Sequence, residues 1–521
     1  MNNVNPTALL RSLIVYAVCV PLAIIVGYLL TSLDYQSMGL IGFLAAIMIF
    51  PLLMKWHYPL LVLSWAMPVT LFFLPGHPTL FLAMAAISLT ISVVERILDR
   101  NKPFLPTGGV AWPLLAFLLV IVITAKLTGG FGLRSMGSDV YGGKKYIFLI
   151  VGILSFFAIT ARPIPKRYAN LYVGLYFAGG ILNFVSDMYS YVPSPLHFIY
   201  QVIPPSIFGT GLDDDAVLGV SRMGGVATAA GCVFSWLLAL YGFRDNMLTS
   251  KFWRPVLMGI TFILMFLGGF RAIILGAFIM LALIFYLEKM HRTGMMMVML
   301  LGGLLGAALL VPMAPHLPFT FQRALAFLPL NISPEARLNA DASTEWRLEI
   351  WQALLPQVPK YLLLGKGYAF SAETFNESMG RDAMFQKTID AAENPLALAG
   401  DFHSGPLSVV LSFGVWGVIV WLWYWVAGFF VVWRNYKYGD PALAHINRYF
   451  FAAFIAKCFG FLFIFGDVVG DVGGFAGLIG MSIALNHGIM RRPAQTTAPI
   501  RINQNPRSGQ PRFPVRPAFQ R

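Results

Sequence analysis

Met295-Met-Met-Val-Met-Leu-Leu-Gly-Gly-Leu-Leu-Gly-Ala-Ala-Leu-Leu-Val-Pro-Met313 is a nineteen-residue run without an ionisable side chain. As a helix it is long enough to cross a bilayer, which takes roughly 20 mostly apolar residues. The chain then turns polar from Ala314 to Ser404 and becomes apolar again over 405–433. Working outward, similar runs lie at 12–31, 38–54, 58–74, 78–95, 110–127, 146–161, 169–187, 223–243, 255–270, 272–288, 448–466 and 472–490. The neighbours 255–270 and 272–288 can also be read as one long broken element. The reading is an all-α polytopic membrane protein of about 12 to 14 transmembrane helices.

Composition agrees. Apolar residues make up 58% of the 521-residue chain and charged residues 12%, and the mean hydropathy is +0.71. Soluble proteins carry about twice that share of charge. Cys19, Cys232 and Cys458 all fall inside apolar runs and read as small hydrophobes rather than disulfide halves. No small-residue cleavage site follows the first run, which therefore reads as an anchor.

The net charge of +14 is concentrated in short connections and in the tail after Arg491, so it does not call for a nucleic-acid partner. With a cytoplasmic N-terminus, the inner connections carry Arg96, Arg100 and Lys102; Arg162, Lys166 and Arg167; Arg244, Lys251 and Arg254; Lys289 and Arg292; and Arg434, Lys437 and Arg448. That is the positive-inside pattern, and it places both termini in the cytoplasm. The exception is an outer connection holding Arg134, Lys144 and Lys145. The expected organisation is transmembrane helices over 1–313, a large periplasmic loop over 314–404, C-terminal transmembrane helices over 405–490 and a disordered basic tail over 491–521.

Two outer segments exceed a turn. The shorter runs from Tyr189 to Arg222 and contains Asp213-Asp-Asp215; the longer, 314–404, carries ten acidic and seven basic residues. A connection of that length is expected to hold structure of its own. Trp346, Ile350, Trp351, Leu354 and Leu355 repeat at helical spacing, with Ser343 as an expected cap, Pro356 and Pro359 as terminators and Gly365-Lys-Gly367 as a turn.

Ionisable groups at membrane level are costly and need a reason. Arg271, in Gly268-Gly-Phe-Arg271-Ala, lies between two apolar runs at the outer face; the structural alternative is a snorkelling anchor. Arg222, in Val220-Ser-Arg222-Met-Gly-Gly, lies at the mouth of the next helix and alone reads as an interfacial cap. Two guanidinium forks at one level suit a diphosphate at the bilayer surface. His403 stands where the long loop re-enters the membrane and is a candidate acid or base, with a purely structural role as the alternative. The sequence has no phosphate-binding Gly-x-x-x-x-Gly-Lys-Ser/Thr loop, no metal-ligand spacing of His, Cys and Asp, and no Gly-x-Ser-x-Gly elbow. The Met295–Met299 run reads as lipid-facing or packing surface.

His403-Ser404, followed after nine residues by Gly414-Val-Trp-Gly417, resembles the His-[Asn/Ser/Gln]-x9-Gly-x-x-[Gly/Thr/Tyr] pattern of the O-antigen ligase family. Arg271-x-x-x-Leu275 is similar to that family's Arg-x3-Leu element, and Arg222 looks like its further arginine at an outer helix mouth. The Arg347–Trp351 segment and Leu364-Gly-Lys-Gly367 resemble the loop region shared with polysaccharide polymerases. The likeness spans roughly residues 200 to 435. It implies a GT-C-like membrane glycosyltransferase of the bacterial inner membrane, without metal or other cofactor. Its donor would be an undecaprenyl-diphosphate-linked glycan, and its acceptor lipid A–core or another glycan. His403, Arg271 and Arg222 would be catalytic, and Arg222, Arg271 and Arg347 would bind substrate. The alternatives are a polymerase of carrier-linked repeats, a polysaccharide flippase or transporter, and a non-enzymatic scaffold of the envelope. Transporters place their charges near the bilayer midplane, whereas these gather at the outer face.

Overall fold

The computed structural model describes residues 35–74, 76–101, 104–132, 138, 140–206, 222–371, 373, 400 and 402–492, with a few positions between 17 and 27. Most of the expected span at 12–31, together with Cys19, Arg134, Asp213–Asp215 and the tail beyond 492, lies outside the described residues.

The protein is an all-α, multi-pass membrane protein. Its long helices are α1 (Tyr35–Ser64), α2 (Leu80–Leu98), α3 (Ala111–Leu127), α4 (Gly143–Thr160), α5 (Ala169–Ile181, continued by Asn183–Ser186), α6 (Gly224–Tyr241), α7 (Trp253–Leu264), α8 (Arg271–Leu287) and α9 (Met295–Met313). In the segment that follows stand α10 (Phe319–Ala324) and α11 (Pro334–Leu354). The chain then completes the bundle with α12 (Gly405–Tyr438), α13 (Ala444–Phe459, extended by a π-turn over Gly460–Ile464) and α14 (Val468–Leu485). Among the described residues the strands form a two-residue ribbon, Val140–Tyr141 against Phe370–Ser371.

α14 is the central post. Gly152 of α4 and Gly480 of α14 sit where a Cβ would run into Val472 and Ile159, so the two helices approach closely. One buried cluster joins α1, α5, α6 and α13; a second joins α3, α4, α12 and α14. α9 behaves differently: no residue in it is buried. Its first residue, Met295, packs against the core, and Leu310 near its far end packs against the small cluster of Ala314 and Leu325, while most of the run between them is exposed, as suits a helix surrounded by lipid.

Two expectations need correction. Where two spans were expected at 38–54 and 58–74, one helix runs from Tyr35 to Ser64 through Pro51 and Pro59. A proline can kink a helix without ending it, and contacts to neighbouring helices hold the second half in place. Here His57 Nδ1 lies 2.8 Å from Ser88 Oγ, and the Tyr58 hydroxyl donates to the Ile159 carbonyl at 2.7 Å. The described residues of 65–79 then form an irregular turn, with the Thr70 amide bonded to the Val202 carbonyl. Second, Ser343 is not a cap. α11 begins nine residues earlier at Pro334, where Ser333 accepts the Ala336 amide, and Leu355 is exposed. The runs 255–270 and 272–288 form two helices, parted at Gly269 by a left-handed backbone conformation.

Candidate functional site

Four arginines from four elements meet at one helix of the large loop. Arg222 directly precedes α6. Gly269, at φ +63°, turns the chain so that Arg271 becomes the first residue of α8. The Gly269 carbonyl accepts from Arg323 Nη1 at 2.7 Å. Arg323, on α10, is only 6% exposed. Its Nε donates to Asn339 Oδ1 on α11, and Arg222 Nη2 donates to the same oxygen at 3.2 Å. One turn further, Arg271 Nη2 donates to the Ala340 carbonyl and, at 3.3 Å, to Thr344 Oγ1.

Arg347 completes the group. Burial, and then the adjacent Arg271 charge, hold its guanidinium below the ordinary arginine range. Its Nε is buried with no hydrogen-bond partner among the described residues. Neither Arg271 nor Arg347 forms an ion pair with a described carboxylate. Like charges brought together on neutral acceptors raise the affinity of the spot for an anion.

His403 joins from the other end of the same helix. Phe402 is buried, and its carbonyl accepts from Trp351 Nε1 at 3.0 Å. The next residue, His403, turns at φ +48°, a conformation that costs a non-glycine residue about 1–3 kcal/mol. The imidazole is held between the rings of Trp346, 4.9 Å away, and Phe465, 5.1 Å away. Asn339 and Trp346 are seven residues apart, hence on one side of α11 with about 10 Å of rise between them. Ala340, Thr344 and Arg347 form the adjoining stripe. α11 therefore relates all four candidate residues, Arg222, Arg271, Arg347 and His403.

The stretch after His403 is fixed by main-chain contacts. Within α12, Gly414 has φ +64° and ψ −159°, a combination open to glycine, and it breaks the helical hydrogen bonding. The freed carbonyls of Leu411 and Ser412 accept the amides of Lys366 and Gly367 at 2.6 and 3.1 Å, and the Val415 amide donates to the Leu362 carbonyl at 2.7 Å. A Cβ on Gly365 would lie 2.3 Å from the Ser412 carbonyl oxygen, so only glycine fits against the kink. The glycine that follows His403-Ser404 by nine residues and the Gly365-Lys-Gly367 turn are thus two halves of one joint.

Sequence reasoning missed Arg323 and Asn339. Asn339 lies in a polar stretch where hydropathy gives no alarm, and Arg323 lies in an apolar stretch, Phe319 to Leu330, too short to span a membrane. Trp346 and Phe465 were legible as apolar residues but not as the walls of an imidazole slot.

Residues 216–422 match the family described as O-antigen ligase. The match includes Arg222, Arg271, Arg323, Asn339, Arg347 and His403. No curated protein matches the chain.

Proposed function

We propose that this chain, which carries an O-antigen ligase domain, transfers a glycan from undecaprenyl diphosphate to lipid A–core or a related acceptor. The reaction would take place at the periplasmic face of the bacterial inner membrane, with both termini in the cytoplasm. The observation that carries the reading is the arginine group at α11: Arg271 donates to a carbonyl and a hydroxyl, and the charge of Arg271 is felt by the guanidinium of Arg347. A diphosphate supplies the charge that such a pair lacks, and guanidinium forks bind its oxygens bidentately.

The chemistry follows from the placement. An acceptor hydroxyl attacks the anomeric carbon and a new C–O bond forms. The bond from that carbon to the carrier's phosphate oxygen breaks, and the diphosphate leaves with the electron pair. Arg271, Arg222 and Arg347 stabilise the negative charge that develops on it. The hydroxyl proton passes to the His403 imidazole, which Trp346 and Phe465 hold in one orientation.

The test is transfer by purified protein in proteoliposomes containing carrier-linked glycan and lipid A–core. Arg271→Ala should slow transfer about 10²–10³-fold, the cost of losing one preorganised donor. His403→Ala should slow it about 10²–10⁴-fold. Full rate in either variant overturns the assignment of that residue, and an inactive wild type overturns the transferase reading.

A further inference from the structure

Lys144 and Lys145 break the charge pattern of the other connections, and the arginine site does not account for them. Lys144 opens a stripe on α4 that continues through Phe148 and Gly152, four residues apart and so on one face. Two recesses lie along that stripe. The upper one, about 540 Å³, is lined by Thr70, Phe72, His77, Lys144 and Gln201. The lower one, about 390 Å³, is lined by Trp65, Phe81, Phe148, Gly152, Gly470 and Gly473 among others.

The two are neighbours. Thr70, Phe72 and His77 wall the upper recess and Trp65 to Pro68 and Thr79 the lower, and the Lys144 ammonium, which lines the first, lies 5.9 Å from the ring centre of Phe148, which lines the second. The upper part offers a cation, an imidazole, an amide and an exposed ring, a set suited to a sugar bearing acidic groups. The lower part is aromatic and aliphatic. Its width comes from missing side chains: a Cβ on Gly470 would meet nothing within 4 Å, and one on Gly473 only the Phe81 ring edge, at 3.9 Å.

The feature also has a defined relation to the proposed centre. Val469 and Gly470 in its wall follow Phe465, whose ring lies 5.1 Å from the His403 imidazole, by four and five residues. On the other flank, Gln201 belongs to the segment that Asp187 ties to α6. Asp187 accepts from Ser206 Oγ at 2.7 Å and from the Val226 amide at 2.8 Å, one turn beyond Arg222.

We infer that this two-level recess seats the acceptor, a glycolipid with an anionic saccharide head above and a hydrocarbon chain in the slot below. The inference rests on the glycan-transfer reading. Lipid A–core and a second carrier-linked glycan share this chemistry, and the experiment separates them.

Both are offered to the protein in nanodiscs, and retention is read by native mass spectrometry; transfer kinetics are measured in parallel. The wild type should retain at least one probe, and the one retained identifies the source. Gly473→Leu, which fills the slot, and Lys144→Ala, which removes the cation, should weaken retention and raise the acceptor KM about tenfold, with donor KM and kcat within about twofold. Phe72→Ala at the rim carries the same test should Gly473→Leu not fold. Folded variants with unchanged acceptor KM, or a rise in donor KM instead, overturn the inference. A wild type that retains the glycolipid yet transfers nothing leaves the seat in place and overturns the transferase reading alone.

Discussion

The two ends of the helix bundle handle most of their charge differently, although Lys457 pairs with Asp471 at 2.5 Å on the loop side. At the end away from the large loop, cations meet carboxylates. Arg162 pairs with Glu95, and Lys166 reaches Asp440 at 2.5 Å. Glu288, its side chain 3% exposed, accepts from Arg448 Nη1 at 2.7 Å and from the Phe243 and Arg244 amides at 3.2 and 2.7 Å. At the loop end, Arg222 and Arg323 share an amide oxygen, Arg271 rests on a carbonyl and a hydroxyl, and Arg347 lies beside Arg271. A neutralised charge holds connections in place. Cations gathered at one spot raise its affinity for an anion, the basis of the function proposed above.

The contrast can be broken by giving the loop end the chemistry of the other. Thr344→Glu places a carboxylate where Arg271 now finds a hydroxyl at 3.3 Å. It should leave thermal stability equal or slightly raised while transfer falls about a hundredfold, because the built-in anion competes with the diphosphate. Unfolding and initial rates, measured on the same preparation, decide it; transfer at the original rate would show that Arg271 does not receive the anion.

The converse change is Glu288→Gln. Losing the carboxylate strips charge-assisted hydrogen bonds from two amides and Arg448, and should cost about 2 kcal/mol of stability. The rate per folded molecule should not change. A fall in rate without loss of stability would mean that the two ends are coupled.

The smallest effect is on pH. Burial alone would raise the pKa of Glu288, but the His445 imidazole 3.8 Å away, hydrogen bonds from the two amides and the Arg448 charge hold it below the usual carboxylate range. A carboxyl whose pKa is lower folded than unfolded contributes stability that is complete above the unfolded value and lost as pH falls through the folded one. Acid unfolding of the wild type should therefore be steeper below the carboxylate range than that of Glu288→Gln. Superimposable acid limbs would show that Glu288 contributes nothing there.

Much of this was legible in the sequence because membranes penalise charge. Arg271 is conspicuous between two apolar runs, and most helices from α2 onward coincide with the hydropathy. Outside the spans a charge carries no such penalty, which is why Arg323 and Asn339 gave no signal although Asn339 accepts from both Arg222 and Arg323. The start of α11 was missed for a related reason. Apolar spacing marks only its buried second half, whereas Ser333 followed by Pro334 is a start signal written in capping chemistry. α1 was divided because Lys55 and His57 look like a connection; their tolerance depends on partners such as Ser88, remote in sequence.

The joint at Gly414 bears on how such a chain can be re-engineered. Its hydrogen bonds run between main-chain atoms of 362–367 and 411–415, so they are indifferent to most side chains. Sequence in the intervening outer segment can diverge freely without loosening it, provided the glycines remain. A chimera that exchanges outer segments between two such proteins should keep both strips from one parent. Cutting between them would pair a bend with a turn shaped for a different one.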